Sequence, residues 1–209
     1  IDGKPFYYHF AFNPVFAERN VVNFFKGLPI LETKLRLGFI IDSQRFDVDN
    51  SRQRISDKEK TKGQLIKAFS ELVKVLREIK VSDPHKFDYI YKAIAATKYQ
   101  EGEDFKYIKE AFQEVFVPFF EEFVLTASGD YEKIENVRSF TENYEVPLKE
   151  IGITVYKWID DSIKKDLHRH KIDAERIDFS TLLSDAEPLK LAEWINNLSA
   201  NDYREFNKI

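Results

Sequence analysis

The chain has 209 residues, of which 43% are hydrophobic and 15% aromatic, and a formal net charge of −4. That length suits a single domain with a large core, and the 19 Phe and 10 Tyr exclude a disordered chain. The absence of Cys excludes disulfides, thiolate metal sites and cysteine nucleophiles.

Phe6, Tyr8, Phe10 and Phe12 alternate with Tyr7, His9 and Ala11, which predicts a strand with one aromatic face. Asn13-Pro14 then offers a helix start, with Asn as the cap and Pro at the first helical position. The helix is expected to run to about Lys26 and to stop at Gly27. Leu35, Leu37, Phe39 and Ile41 alternate again, and Arg45 to Asp49 keep the rhythm, which predicts a hairpin. Residues 1–50 thus read as an antiparallel β-α-β-β segment, followed by a charged linker or frayed helix start over 51–63.

From residue 64 the pattern is helical. Leu65, Phe69, Leu72, Leu76 and Ile79 step by four and three. Ser82-Asp83-Pro84 caps a helix that buries Phe87, Ile90, Tyr91 and Ile94. Another starts near Glu103 and carries Phe105, Ile108, Phe112, Val115 and Phe116, with a kink or break expected at Pro118. Further helices are predicted over Tyr131 to Phe140, from Pro147 to Leu167, and after the Ser184/Glu187 capping box. The expected fold is α+β and predominantly α-helical, with the small β-α-β-β segment on a bundle of about six helices over 64–209.

No apolar run reaches the roughly 18 to 20 residues of a membrane span; Val115 to Phe120 is stopped by Glu121 and Glu122. A soluble, cytoplasmic protein is expected. Met is also absent and the first residue is Ile, which reads as a processed or excised piece of a longer polypeptide.

The scattered glycines form no phosphate-cradling loop, and there is neither a serine nucleophile elbow nor a metal-binding Glu-x-x-His pair. No catalytic residue, metal site or cofactor is therefore expected. Charge is segregated: residues 1–98 carry 18 Lys+Arg against 12 Asp+Glu, whereas 99–145 carry 4 against 12. Arg36, Arg45, Arg52, Arg54, Lys58, Lys60 and Lys62 form a basic segment that suits phosphate contacts. On an extended backbone His168 and His170 would share a face and suit a metal or a pH sensor, whereas on a helix the two imidazoles would point apart; the lysines nearby oppose a cation, and with Arg169 the pair better suits an anion contact. Phe116, Phe119, Phe120 and Phe123 around Pro118 suit either a core or an apolar groove.

A β-α-β-β start followed by helices is too widespread to carry function. Missing catalytic motifs and segregated charge favour a non-enzymatic protein-interaction or regulatory domain acting through a helical surface on a protein partner. A nucleic-acid-associated domain using residues 34–62 is the second reading. The third is an enzyme with a dispersed carboxylate or His site, for which Glu110, Glu114, Glu121 and Asp161 are candidates.

Overall fold

The computed structural model describes residues 8–18, 21–25, 28–51, 54–98, 105–140, 157–177, 184 and 187–197. It is α+β and mostly helical, with five α-helices among the described residues. They divide between two units, one of residues 1–120 with 165–172 and one of 121–164 with 173–209.

In the first unit, strand β1 (Tyr8–Phe12) half-buries Tyr8, Phe10 and Phe12 and exposes His9 and Ala11, as the alternation predicts. Asn13 then caps as expected: its Oδ1 accepts the Val15 N–H at 3.0 Å. The cap opens only a 3-10 turn, Pro14–Glu18, and the chain re-enters the sheet as β2 (Val21–Phe25). The helix expected to reach Lys26 is thus corrected. Val21-Val22-Asn23-Phe24-Phe25 is β-branched and aromatic, and such residues fit a pleated sheet better than a helix.

The predicted hairpin also changes place. Strand β3 (Leu28–Leu35) pairs antiparallel with β2, while β4 (Phe39–Ser43) pairs antiparallel with β1 and parallel with β2. The order is β1-β4-β2-β3. Leu35 and Phe39 therefore lie on different strands, separated by a break at Arg36 to Gly38. Val48 bridges Ile55 instead of extending the sheet.

Helix α1 (Lys58–Ser82) starts inside the charged stretch 51–63, where Asp57 accepts the Lys60 N–H at 2.9 Å. Of the predicted stripe it buries Leu65, Phe69, Leu72 and Leu76 and half-buries Ile79. Asp83 ends α1 and caps α2 (Pro84–Ala95), which buries Phe87, Ile90, Tyr91 and Ile94. Helix α3 (Lys106–Glu122) runs on through the exposed Pro118 and does not split there.

The inner face of β4 meets these helices edge-on and face-on. The Phe39 ring lies 5.8 Å from Phe69, 6.4 Å from Phe112 and 6.3 Å from Phe116, centroid to centroid. Phe87, Tyr91, Phe119 and Phe120 continue the cluster. Tilted and edge-to-face rings of this kind add to their area burial.

The second unit holds more strand than the sequence predicts. Strands β5 (Val124–Leu125) and β6 (Tyr131–Glu132) form a small hairpin. Strand β7 (Val137–Phe140) lies between β8 (Lys157–Trp158) and β9 (Glu175–Ile177), parallel to both. The helices expected over Tyr131 to Phe140 and through Trp158 are corrected. Helix α4 (Asp161–Arg169), whose residues 165–169 belong to the first unit, begins only where Asp160 Oδ1 accepts the Ser162 N–H at 2.8 Å. The half-buried Trp158 sits on a two-residue strand, too short for helical spacing to reveal. Residues 147–156 of that expected helix lie outside the described residues. A fifth helix, α5 (Pro188–Asn197), comes after Glu187, and its Leu189 is exposed.

Among the described residues, no helix is long and apolar enough to cross a membrane.

Candidate functional site

Strand β1 is an edge strand, since β4 is its one partner among the described residues. Its Tyr8 and Phe10 line a groove of about 780 Å³ against α1, within the volume range of ligand pockets. The helix contributes Gln64, Lys67, Ala68, Glu71, Leu72 and Val75, and Arg45 completes the lining. Leu72 and Val75 make an apolar wall, and Val75 is 47% exposed. Arg45 acts on Tyr8: burial raises the phenol's pKa, and the guanidinium opposes that rise.

Two α1 side chains stand out chemically. Gln64 Oε1 is buried and accepts no hydrogen bond from the described residues, and the same holds for Thr61 Oγ1. A buried acceptor left unmet costs about 1–3 kcal/mol, so an N–H donor arriving at Gln64 would recover a comparable amount. Lys67, one turn along α1, and Arg45 supply cations. Glu71, the single acid of the lining, is held by Lys74 at 2.6 Å.

The residues predicted from sequence are dispersed. Lys60 is bound to Asp47 at 2.7 Å and Lys62 to Glu110 at 2.6 Å. Each pair raises its lysine's pKa and lowers its carboxylate's, chiefly through the hydrogen bond. Both pairs are partly exposed and screened by water. Arg54 is exposed, Lys58 opens α1, and Arg52 lies outside the described residues. Among the six that are described, Arg45 alone lines the groove. Arg36 lies elsewhere, bridged through its backbone to Lys98. Of the carboxylates, Glu110 is taken up by Lys62, and no group of three or more metal-ligating side chains occurs among the described residues.

The aromatic groove is corrected. Phe116, Phe119 and Phe120 are at most 1% exposed and belong to the core, because α3 turns that stripe inward. Phe123, half-buried, lies beyond the end of α3.

The His168-Arg169-His170 site is corrected as well. His168 and Arg169 end α4, and the helix closes with Lys171 N–H to His168 O at 2.9 Å and Ile172 N–H to Leu167 O at 3.0 Å. This left-handed cap puts Lys171 at φ 65°. The turn drives His170 inward until it is 1% exposed, while His168 stays outside. His170 packs 5.3 Å from the Phe112 ring and 5.5 Å from Phe120, and its Nε2 lies 2.8 Å from Ala95 O. The imidazole is a core group and is closed to an anion.

Burial pushes the His170 pKa below its usual value, outweighing the Ala95 hydrogen bond. The unfolded chain therefore takes up this proton more readily than the folded one. The contribution is fully present above about pH 6.5 and is lost as pH falls from there through the lower folded pKa. His170→Gln should flatten that part of the acid limb in urea titrations between about pH 7 and pH 5. An unchanged slope would show that the imidazole does not titrate with folding.

The signal for the groove is a second stripe on α1. Gln64, Lys67/Ala68, Glu71 and Val75 recur every three or four residues beside the core stripe. Periodicity alone reads such a flank as a solvated face. No family model, no curated protein and no solved structure matches the chain, so its function has to be read from the geometry itself.

Proposed function

We propose that the chain is a non-enzymatic protein-interaction domain that receives an extended, acidic segment of a partner between β1 and α1. The observation that carries this reading is the groove itself: an edge strand, an apolar helical wall, two cations and an unmet buried acceptor. An extended peptide matches all four. Its backbone adds to the strand edge, its N–H groups reach Gln64, and alternate side chains enter the pocket. Its carboxylates meet Arg45 and Lys67. A regulatory role fits the same surface, through a partner that is present or absent.

The test is selection of random nine-residue peptides on the intact chain, with the recovered sequences then measured by fluorescence anisotropy. Acidic residues alternating with apolar ones are expected, and Arg45→Glu combined with Lys67→Glu should weaken binding by at least about tenfold. Recovery of basic or featureless peptides, or indifference to the double variant, would overturn the proposal.

The nucleic-acid reading keeps one argument, the Lys/Arg surplus over residues 34–62. Against it stand the two lysines already committed to carboxylates. Single-stranded RNA or DNA bound with a steep salt dependence, and lost on Arg36, Arg52 and Arg54→Glu together, would favour it over the peptide.

A further inference from the structure

A second feature of the first unit joins residues that are distant in the sequence. Arg36 and Lys98 form an antiparallel bridge, with the Lys98 N–H donating to Arg36 O at 2.8 Å. Directly opposed residues of such a bridge place their side chains on one face, with Cβ atoms about 5 Å apart. Two like charges in that position repel. A third cation joins them, because Arg169 Nη1 reaches Thr97 O, next to Lys98, at 3.5 Å.

The repulsion is met by one carboxylate. Glu18, on the 3-10 turn after β1, accepts from Lys98 Nζ at 2.5 Å. Lys98, then Arg36 and Arg169, all hold its pKa down. Arg169 also binds Asp166 at 2.8 Å, so three cations face two acids. Glu18 is the exposed member, with 68% of its side chain in water against 29% for Lys98. A carboxylate on a short turn at the surface is displaceable, whereas the Arg36–Lys98 pair is fixed by the backbone.

We propose that Arg36, Lys98 and Arg169 form a binding site for a phosphate dianion, at which the Glu18 carboxylate is the resident competitor. The dianion brings twice the charge of Glu18 and enough oxygens to serve the lysine and a guanidinium together. Glu18 swings into water when the phosphate enters. This site shares no residue with the β1–α1 groove, so the fate of either proposal leaves the other standing.

Titration calorimetry of the intact chain with inorganic phosphate, at low ionic strength and about pH 7.5, where the phosphate is mainly the dianion, tests it. Sodium chloride of matched ionic strength serves as the control. Glu18→Gln should tighten phosphate binding by about tenfold, since it removes the competitor and one negative charge. Arg36→Gln and Lys98→Gln should each weaken it by about tenfold or abolish it. Melting temperatures without phosphate report whether each variant folds. In the wild-type chain and Glu18→Gln, added phosphate should raise the melting temperature.

No heat and no thermal shift from phosphate with either of these two proteins would overturn the proposal. So would binding that Arg36→Gln and Lys98→Gln leave intact. The four side chains would then form a surface ion-pair network and nothing more.

Discussion

Gly38→Ala should destabilise the fold by about 3–5 kcal/mol, more than a typical overpacked site. A Cβ built on Gly38 would lie 1.5 Å from Ala93 O and 2.5 Å from Ala93 C. These are backbone atoms of α2, and Ala93 is fully buried, so no side-chain rotation relieves the clash. Gly38 is also pinned from both sides. Its O accepts the Asn13 N–H at 3.0 Å and its N–H donates to Thr97 Oγ1 at 3.2 Å. Relief requires the strand break to part from α2 and to loosen both bonds. Thermal unfolding should show a drop of roughly 10 °C. Gly63→Ala is the control: that glycine is helical and exposed and has nothing within 4 Å of an added Cβ. There the better helix former should raise stability by about 0.5–1 kcal/mol. Equal effects at the two positions would refute the close approach.

Phe39→Ala should cost a similar amount, about 3–5 kcal/mol, for the opposite reason. Its ring is fully buried and lies within 6.4 Å of Phe10, Phe12, Phe69, Phe112 and Phe116. It therefore joins β1 and β4 to α1 and α3, and no neighbour can fill its place without giving up another ring contact. Phe39→Leu, which keeps most of the volume, should cost less than half as much. Urea unfolding with an unchanged slope would locate the effect in the native state. A loss below about 1 kcal/mol for Phe39→Ala would mean that the sheet face was assigned the wrong way round.

The two variants also bear on the proposed sites. Phe39 sits behind Phe10, so its truncation should loosen the floor of the groove. Gly38 is hydrogen-bonded to Thr97 beside the Arg36–Lys98 bridge, so its enlargement should disturb the cation pair. Each site depends on a packing feature several residues away from its charges.

The residues determine much of the first unit by themselves. The α1 stripe of Leu65, Phe69, Leu72 and Leu76, the Asp83-Pro84 cap and the one-sided β1 face all come from local periodicity, because each element is long enough to repeat its pattern. Short elements give no such reading. Strands of two to four residues at 124–140 and 157–158 complete only one or two periods, so their apolar residues look like turns of a helix. The sites are less legible still. Arg36, Lys98 and Arg169 are brought together by a strand bridge and a helix end, and Tyr8, Arg45 and Lys67 by the packing of an edge strand on α1. His170 looks from its neighbours like a surface group, and only the left-handed turn after α4 carries it inside. Local sequence decides which way a side chain faces along its own element; which elements meet is decided by the chain's long-range packing.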